Sequence, residues 1–372
     1  MRRAVLAIVA AGTLLTASHA NAAVVGLHDD NLTNFSGAAL EQRLDLLASS
    51  NTKITRLDVL WRRIAPTKPA NPRDPADPAY NWAQLDEMVR GLAARNIVPI
   101  LTFYRTPKWA SRSRRTNAAP RLADVSRFTR ALATRYNGSF SAAPGERPLP
   151  EVRRIEVWNE PNVPFFYAPQ CRKVGRKIVR TAPRRYAAML RLSYREIKAG
   201  NPDAIVIGGV LGPSSSSSNT CGLDASTSAL DFLAHMGRER PPLDAISQHI
   251  YPIGSPAKAA FFPSWRTLGR LERAIDKVWR GVPIHVTETG YHTSYNRFHR
   301  YFVSETQQAA WLDQTYRVAA RRPRVDAVVW FNLQDNPFWT GGLLRGDLSP
   351  KPSFDRFSRL ATLNPPPERW TR

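Results

Sequence analysis

The chain has 372 residues and a formal net charge of +23, with 53 Lys and Arg set against 30 Asp and Glu. No apolar run reaches the roughly 20 residues that a membrane-spanning helix needs, which argues against an integral membrane protein. No basic-aromatic motif of a nucleic-acid module accompanies the charge. It therefore reads either as attraction for acidic glycans, wall polymers or nucleic acid, or as a solubilising surface rich in arginine.

Residues 1–22, MRRAVLAIVAAGTLLTASHANA, join two arginines to an apolar run from Ala4 to about Ala17 and small residues at Ala20 and Ala22. This is the pattern of a secretory signal peptide, and it predicts an exported protein whose single domain occupies 23–372. Along that domain eight short apolar runs recur, most followed by a stretch of helical periodicity. AVVGL (23–27) precedes a helical pattern at 39–50, ITRLDVL (54–60) one at 85–96, and IVPILTFY (97–104) one at 124–136. RIEVW (154–158) leads to 184–200, AIVIGGV (204–210) to 228–237, LDAISQHI (243–250) to 264–281, and PIHVTET (283–289) to 304–322, before the eighth run, DAVVWFNL (326–333). PTKPANPRDPADP and GPSSSSSNTCG are biased enough in composition to be loops.

Strands that are apolar almost throughout suit a parallel sheet covered on its outer face. Eight strand–helix alternations specify either a doubly wound sheet or a closed (β/α)8 barrel. No glycine-rich phosphate turn follows the first strand, so the closed α/β TIM barrel is predicted. Cys171 and Cys221 fall after the fourth and fifth strands and are predicted to form a disulfide in an oxidising compartment. No Cys and His cluster has metal-ligand spacing, and no metal is expected.

A barrel enzyme gathers its chemistry at the C-terminal ends of its strands. Polar side chains stand there: His28 after the first strand, Asn159 and Glu160 after the fourth, His249 and Tyr251 at the sixth, Glu288 at the seventh, Asn332 and Asp335 at the eighth. Glu160 and Glu288 lie three strand–helix units apart and face each other across the predicted mouth. Glycoside cleavage needs such a pair, one carboxyl protonated and one ionised, because its oxocarbenium-like transition state is served from both sides.

WNEPN (158–162) with VTETGY (286–291) resembles clan A of the glycoside hydrolases, families 5 and 39 about equally. The resemblance continues through TRLDVLW, QHIYP, WF and the closing GGLLRGDLSPKPSFDRF. It implies an exported, retaining enzyme acting on a β-linked glycan without a cofactor, with Glu160 as general acid/base and Glu288 as nucleophile. Asn159 would contact the hydroxyl beside the anomeric carbon, Tyr251 would hydrogen-bond Glu288, and Arg56 would keep Glu288 ionised. Trp330 would floor the subsite, and His249, His28 and Asp335 would complete the substrate-binding set. Tyr104, Trp109, Phe165, Phe166, Tyr167, Phe338 and Trp339 are further candidates to stack on sugar rings.

The expected partner is an oligo- or polysaccharide, the basic CRKVGRKIVRTAPRR (171–185) leaving room for an acidic one, with no nucleic acid and a monomeric chain. Two other classes stay open: a carbohydrate-binding or transglycosylating barrel without net hydrolysis, and a basic wall-associated binding protein.

Overall fold

Eight parallel strands close on themselves in the computed structural model of the chain, which describes residues 23–296 and 299–363. The barrel strands are β1 (Val24–His28), β2 (Ile54–Leu60), β3 (Val98–Tyr104), β4 (Arg154–Val157), β5 (Ile205–Leu211), β6 (Ala245–Gln248), β7 (Ile284–Thr289) and β8 (Val325–Phe331). Each lies beside its chain neighbours, and β8 pairs with β1 to close the ring. After the strands come α1 (Gly37–Ser49), α2 (Ala83–Ala94), α3 (Leu122–Arg135), α4 (Ala182–Gly200), α5 (Ala229–Gly237), α6 (Leu268–Asp276), α7 (Glu305–Ala319) and α8 (Pro352–Leu363). The predicted (β/α)8 barrel is therefore what forms. The leader expected over 1–22 lies outside the described residues.

Local chemistry explains the elements. β3 is buried at every position because helices cover one face and the barrel interior the other. On α4 the buried Tyr186, Met189, Leu190, Ser193 and Ile197 recur every three or four residues, which makes one face apolar. Asn51 and Asn96 follow α1 and α2 with φ of 59° and 54°, a left-handed stop that asparagine tolerates better than most residues. The helix expected over 264–281 is shorter, limited to Leu268–Asp276. No described helix is long and apolar enough to cross a membrane.

The interior of the barrel is layered. Ile54, Val98, Ile100, Ile207, Ala245 and Val329 form an inner apolar cluster, distinct from the larger core between strands and helices. Side chains two residues further along the same strands point inward again, and there they turn polar: Arg56 above Ile54, Thr102 above Ile100, Ser247 above Ala245. The apolar layer plugs the barrel, and the polar layer forms the floor of its C-terminal mouth.

Two insertions rise beside that mouth. Cys171–Val174 and Lys177–Arg180 pair as an antiparallel hairpin in the β4 loop, which the sequence reading took as loop. As expected, Cys171 and Cys221 are joined, tying this hairpin to the β5 loop.

Gly26 is where the inner layer leaves no room, since a Cβ there would stand 2.6 Å from Ile54 Cγ2 and 2.9 Å from Val329 Cγ2. Gly26→Val should cost about 1–3 kcal/mol by overpacking, read as a lowered urea midpoint with an unchanged m-value. An unchanged midpoint would show that the layer has slack.

Candidate active site

The polar layer converges on Arg56. Its side chain is only 2% exposed, and its fork is fully engaged: Nε donates to Glu156 Oε2 at 2.8 Å, Nη1 to Glu288 Oε1 at 2.8 Å, and Nη2 to Asn159 Oδ1 at 2.6 Å. Asp58 Oδ1 stands 3.6 Å from Nη1. One guanidinium thus joins β2 to the ends of β4 and β7. Glu156, which sequence reasoning passed over, is fully buried and also accepts from Thr102 Oγ1 at 2.7 Å. Burial alone would raise its carboxyl pKa, but Arg56, His249 and these hydrogen bonds hold it below the ordinary carboxylate range. The alternation I-E-V-W, read with period two, was the available signal for an inward acid.

Neither catalytic candidate is presented by regular strand geometry. Beyond β4 the backbone takes φ of 77° at Trp158 and 40° at Glu160, whose N–H donates to Val210 O at 3.0 Å. On β7 the ladder to β8 slips between the Val286 and Thr289 pairings, so three residues advance on β7 while two advance on β8, and Glu288 lies inside that irregularity. Gly212 is required beneath Glu160, because a Cβ there would sit 2.8 Å from the carboxyl carbon and 2.9 Å from Oε2.

The two carboxyls then meet around His249. His249 Nδ1 is 2.8 Å from Glu160 Oε1 and 3.3 Å from Glu288 Oε2, and Tyr251 Oη donates to Glu288 Oε2 at 2.6 Å. A carboxylate oxygen from each glutamate and a ring nitrogen of His249 all lie within 4.8 Å of one another. Burial has the largest influence on Glu288 and raises its pKa, Glu160 adds to the rise, and His249, Arg56 and Tyr251 pull against it. Burial would lower the His249 pKa, yet the two glutamates more than offset it, leaving the ring above its ordinary value.

Among the described residues, Glu160, His249 and Glu288 are also the one set with ligand spacing for a metal, which the sequence reading did not foresee. The Arg56 guanidinium 2.8 Å from Glu288 and the Tyr251 hydroxyl on its other oxygen oppose a cation there. The donor set fits a charged carboxylate pair better than a metal centre.

Other expected site residues divide. Asn159 and Tyr251 contact Arg56 and Glu288 as described above. His28, 1% exposed at the end of β1, has neither ring nitrogen hydrogen-bonded and its ring lies 4.9 Å from Phe331. Trp330 does not floor the mouth. It belongs to the outer core, its ring 6.3 Å from Tyr291, which in turn meets Trp311 of α7. Val329 faces the barrel interior, so period two points Trp330 outward and brings Phe331 to the mouth. Asp335 is also drawn away: Lys351 Nζ holds Oδ2 at 2.7 Å and the Gly342 amide donates to Oδ1 at 2.8 Å, anchoring the β8 loop to the start of α8.

Of the loop aromatics, Trp339 packs against the site, with ring centroids 4.8 Å from both Tyr251 and Phe331. With Tyr251, Gly290, His292, His299 and Tyr301 it lines a cavity of about 400 Å³ beside Glu288. Tyr167 is buried, and Phe165 is exposed beneath the Arg105 guanidinium.

No family model matches the chain. It is 26% identical over 239 residues to a β-xylosidase of Geobacillus stearothermophilus, an alignment covering 58% of this chain and 42% of that protein. The chain thus matches less than half the length of this curated relative. Among solved structures it is similar to a family 39 glycoside hydrolase from Bacteroides cellulosilyticus WH2, with TM-score 0.60 and 21% identity over 91% of this chain and 63% of that one. It is similar to a family 5, subfamily 18 enzyme from Streptomyces cattleya solved with GlcNAc, with TM-score 0.65 and 16% identity over 93% and 82%. A monomeric β-xylosidase from Caulobacter crescentus CB15 gives TM-score 0.60 and 18% identity over 93% and 68%. The expected resemblance to families 5 and 39 is borne out at the level of the fold.

Burial drives the His28 pKa from 6.5 down to about 4. Between those values the unfolded chain takes up a proton that the folded chain refuses, so this residue's contribution to stability is complete above pH 6.5 and is lost as pH falls toward 4. Spread over that window the loss amounts to about 3 kcal/mol. His28→Phe should therefore flatten the fall in urea midpoint between pH 7 and pH 4.5, and an identical fall in both proteins would contradict a neutral buried ring.

Proposed function

We propose that the chain is an exported retaining glycoside hydrolase that cleaves a β-linked glycan by double displacement. The observation that carries this reading is the approach of the Glu160 and Glu288 carboxylates to within 4.8 Å at the barrel mouth. An oxygen–oxygen approach of that size accords with the roughly 5–5.5 Å between the carboxyl groups of retaining pairs rather than the roughly 6.5–9.5 Å of inverting ones.

The division of labour follows from the donors. Glu288 is met by Arg56 Nη1, Tyr251 Oη and His249 Nδ1, whereas Glu160 has His249. Burial leaves the Glu288 pKa above its ordinary value, yet the guanidinium and the greater number of donors favour its ionised form, so Glu288 is assigned as the nucleophile and Glu160 as the acid.

Glu160 protonates the departing oxygen while Glu288 attacks the anomeric carbon, forming a glycosyl ester. Water then enters with Glu160 as base and frees the sugar with its configuration retained. As the ester forms, Glu288 loses its charge, and Arg56 is then balanced by Glu156. Asn159 is oriented by Arg56, which turns its Oδ1 inward and leaves its Nδ2 for a sugar hydroxyl.

Glu288→Ala should lower turnover of aryl glycosides on the order of 10⁴-fold or more, and azide should restore a product of opposite configuration. Retained activity would remove Glu288 from this role. In Glu160→Ala, substrates with poor leaving groups should lose about 10²–10⁴-fold while activated aryl glycosides lose far less. Equal losses for both substrate classes would contradict the acid assignment.

A further inference from the structure

A second cavity, of about 630 Å³, opens between the β3 loop and the β4 loop, away from the carboxylate pair. Ser111, Arg112 and Ser113 form one wall, Arg121 stands ahead of α3, and Pro169 and Arg185 close the other side. The walls are tied together by Ala119 N–H to Ala168 O at 2.9 Å and Ala168 N–H to Asn117 O at 2.8 Å. Arg121 is balanced by Asp124 at 2.7 Å. Among the described residues Arg112 and Arg185 meet no carboxylate, and Arg185 lies 5.9 Å over the Tyr167 ring.

The charge continues outward. Two residues past Pro169 the hairpin begins, and its Arg172, Lys173, Arg176 and Lys177 are exposed, again with no carboxylate among the described residues. The hairpin is held in place at its base: Cys171 is bonded to Cys221, and Arg180 donates to Ser218 O of the β5 loop. Some surface arginines are matched by acids, as Arg95 is by Glu41 and Asp45, or Arg345 by Glu305, and others across the described residues are not. Arg112 and Arg185 on the cavity wall and four cations on the hairpin that follows it thus meet no acid among the described residues.

We infer that this cavity and hairpin form a binding site for an acidic polysaccharide, its carboxylates seated against the guanidinium forks of Arg112 and Arg185 and its chain running along the hairpin. Planar guanidinium matches planar carboxylate in two parallel hydrogen bonds, which gives the cavity a geometric preference as well as a charge. A single-stranded nucleic acid is less well served, because its bases need stacking platforms and the hairpin interleaves Val174 and Val179 with its cations. The site is separate from the carboxylate pair and would act by holding polymer close to the cleft, raising its effective concentration there.

The test is binding of polygalacturonate, its fully methyl-esterified neutral form and a 20-base-pair DNA duplex, by calorimetry at about 50 and 200 mM NaCl. The intact chain should bind polygalacturonate with an affinity that falls with salt, and should bind the neutral ester far more weakly. R112S/R185S and R172S/K173S/R176S/K177S should each weaken polygalacturonate binding about tenfold or more, with melting temperatures within a few degrees of the parent. Absence of binding, equal affinity for the neutral ester, unchanged affinity in both variants, or tighter binding of DNA would each overturn the assignment. Because the readout is binding, a failure of the hydrolase reading leaves this result interpretable.

Discussion

One buried guanidinium organises the barrel mouth. Arg56 is removed from water and surrounded by Glu156, Glu288, Asp58 and the Asn159 amide, so its desolvation is offset only because every arm of its fork meets an acceptor. A lysine would offer its three donors from one nitrogen, without the planar fork whose separate nitrogens reach β4 and β7 from β2. The carboxylates hold Arg56, and Arg56 fixes where they sit. The arrangement is a closed network in which each charge depends on the others being present.

The network stands on a regular base and ends in irregular strand tips. Below it, Ile54, Ile100, Val329 and their neighbours fill the barrel with period-two alternation. Above it, the left-handed backbone at Glu160, the slipped ladder beside Glu288 and the missing side chain at Gly212 each depart from that pattern. Left-handed φ at residues other than glycine costs on the order of 1–3 kcal/mol and persists where surrounding structure enforces it. Here the enforcement comes from the Glu160 amide bond to Val210 and from the packing of Trp158 against Phe103 and Tyr167. These local departures accompany the approach of an oxygen from each acid to within 4.8 Å.

Charge is distributed with similar economy. The mouth gathers carboxyl groups around Arg56 and His249, and the outer walls carry the positive excess. The cations of the hairpin and of the β3 loop that meet no described carboxylate belong to the +23 of the whole chain, and those of the hairpin stand on a segment pinned by a disulfide. A fixed ribbon loses little conformational freedom on meeting a partner, so its charges act with less entropic cost than those on a mobile tail.

The amino-acid sequence by itself determined the eight strands, the order of their helices, the disulfide, and the placement of Glu160, Glu288, Asn159, His249 and Tyr251 at strand ends. These follow from local periodicity and from topology, which a linear pattern carries. It misplaced Trp330 because one position along a strand reverses the face, and adjacent aromatic residues at 330 and 331 look alike until the register is known. It missed Glu156 because an acid inside an apolar strand is affordable only with a buried partner, and that partner, Arg56, lies 100 residues away. Asp335 looked available until the fold delivered Lys351 to it. The tertiary structure alone decided distances, partners and burial, since these depend on which side chains meet across the barrel and on how much water they lose when they do.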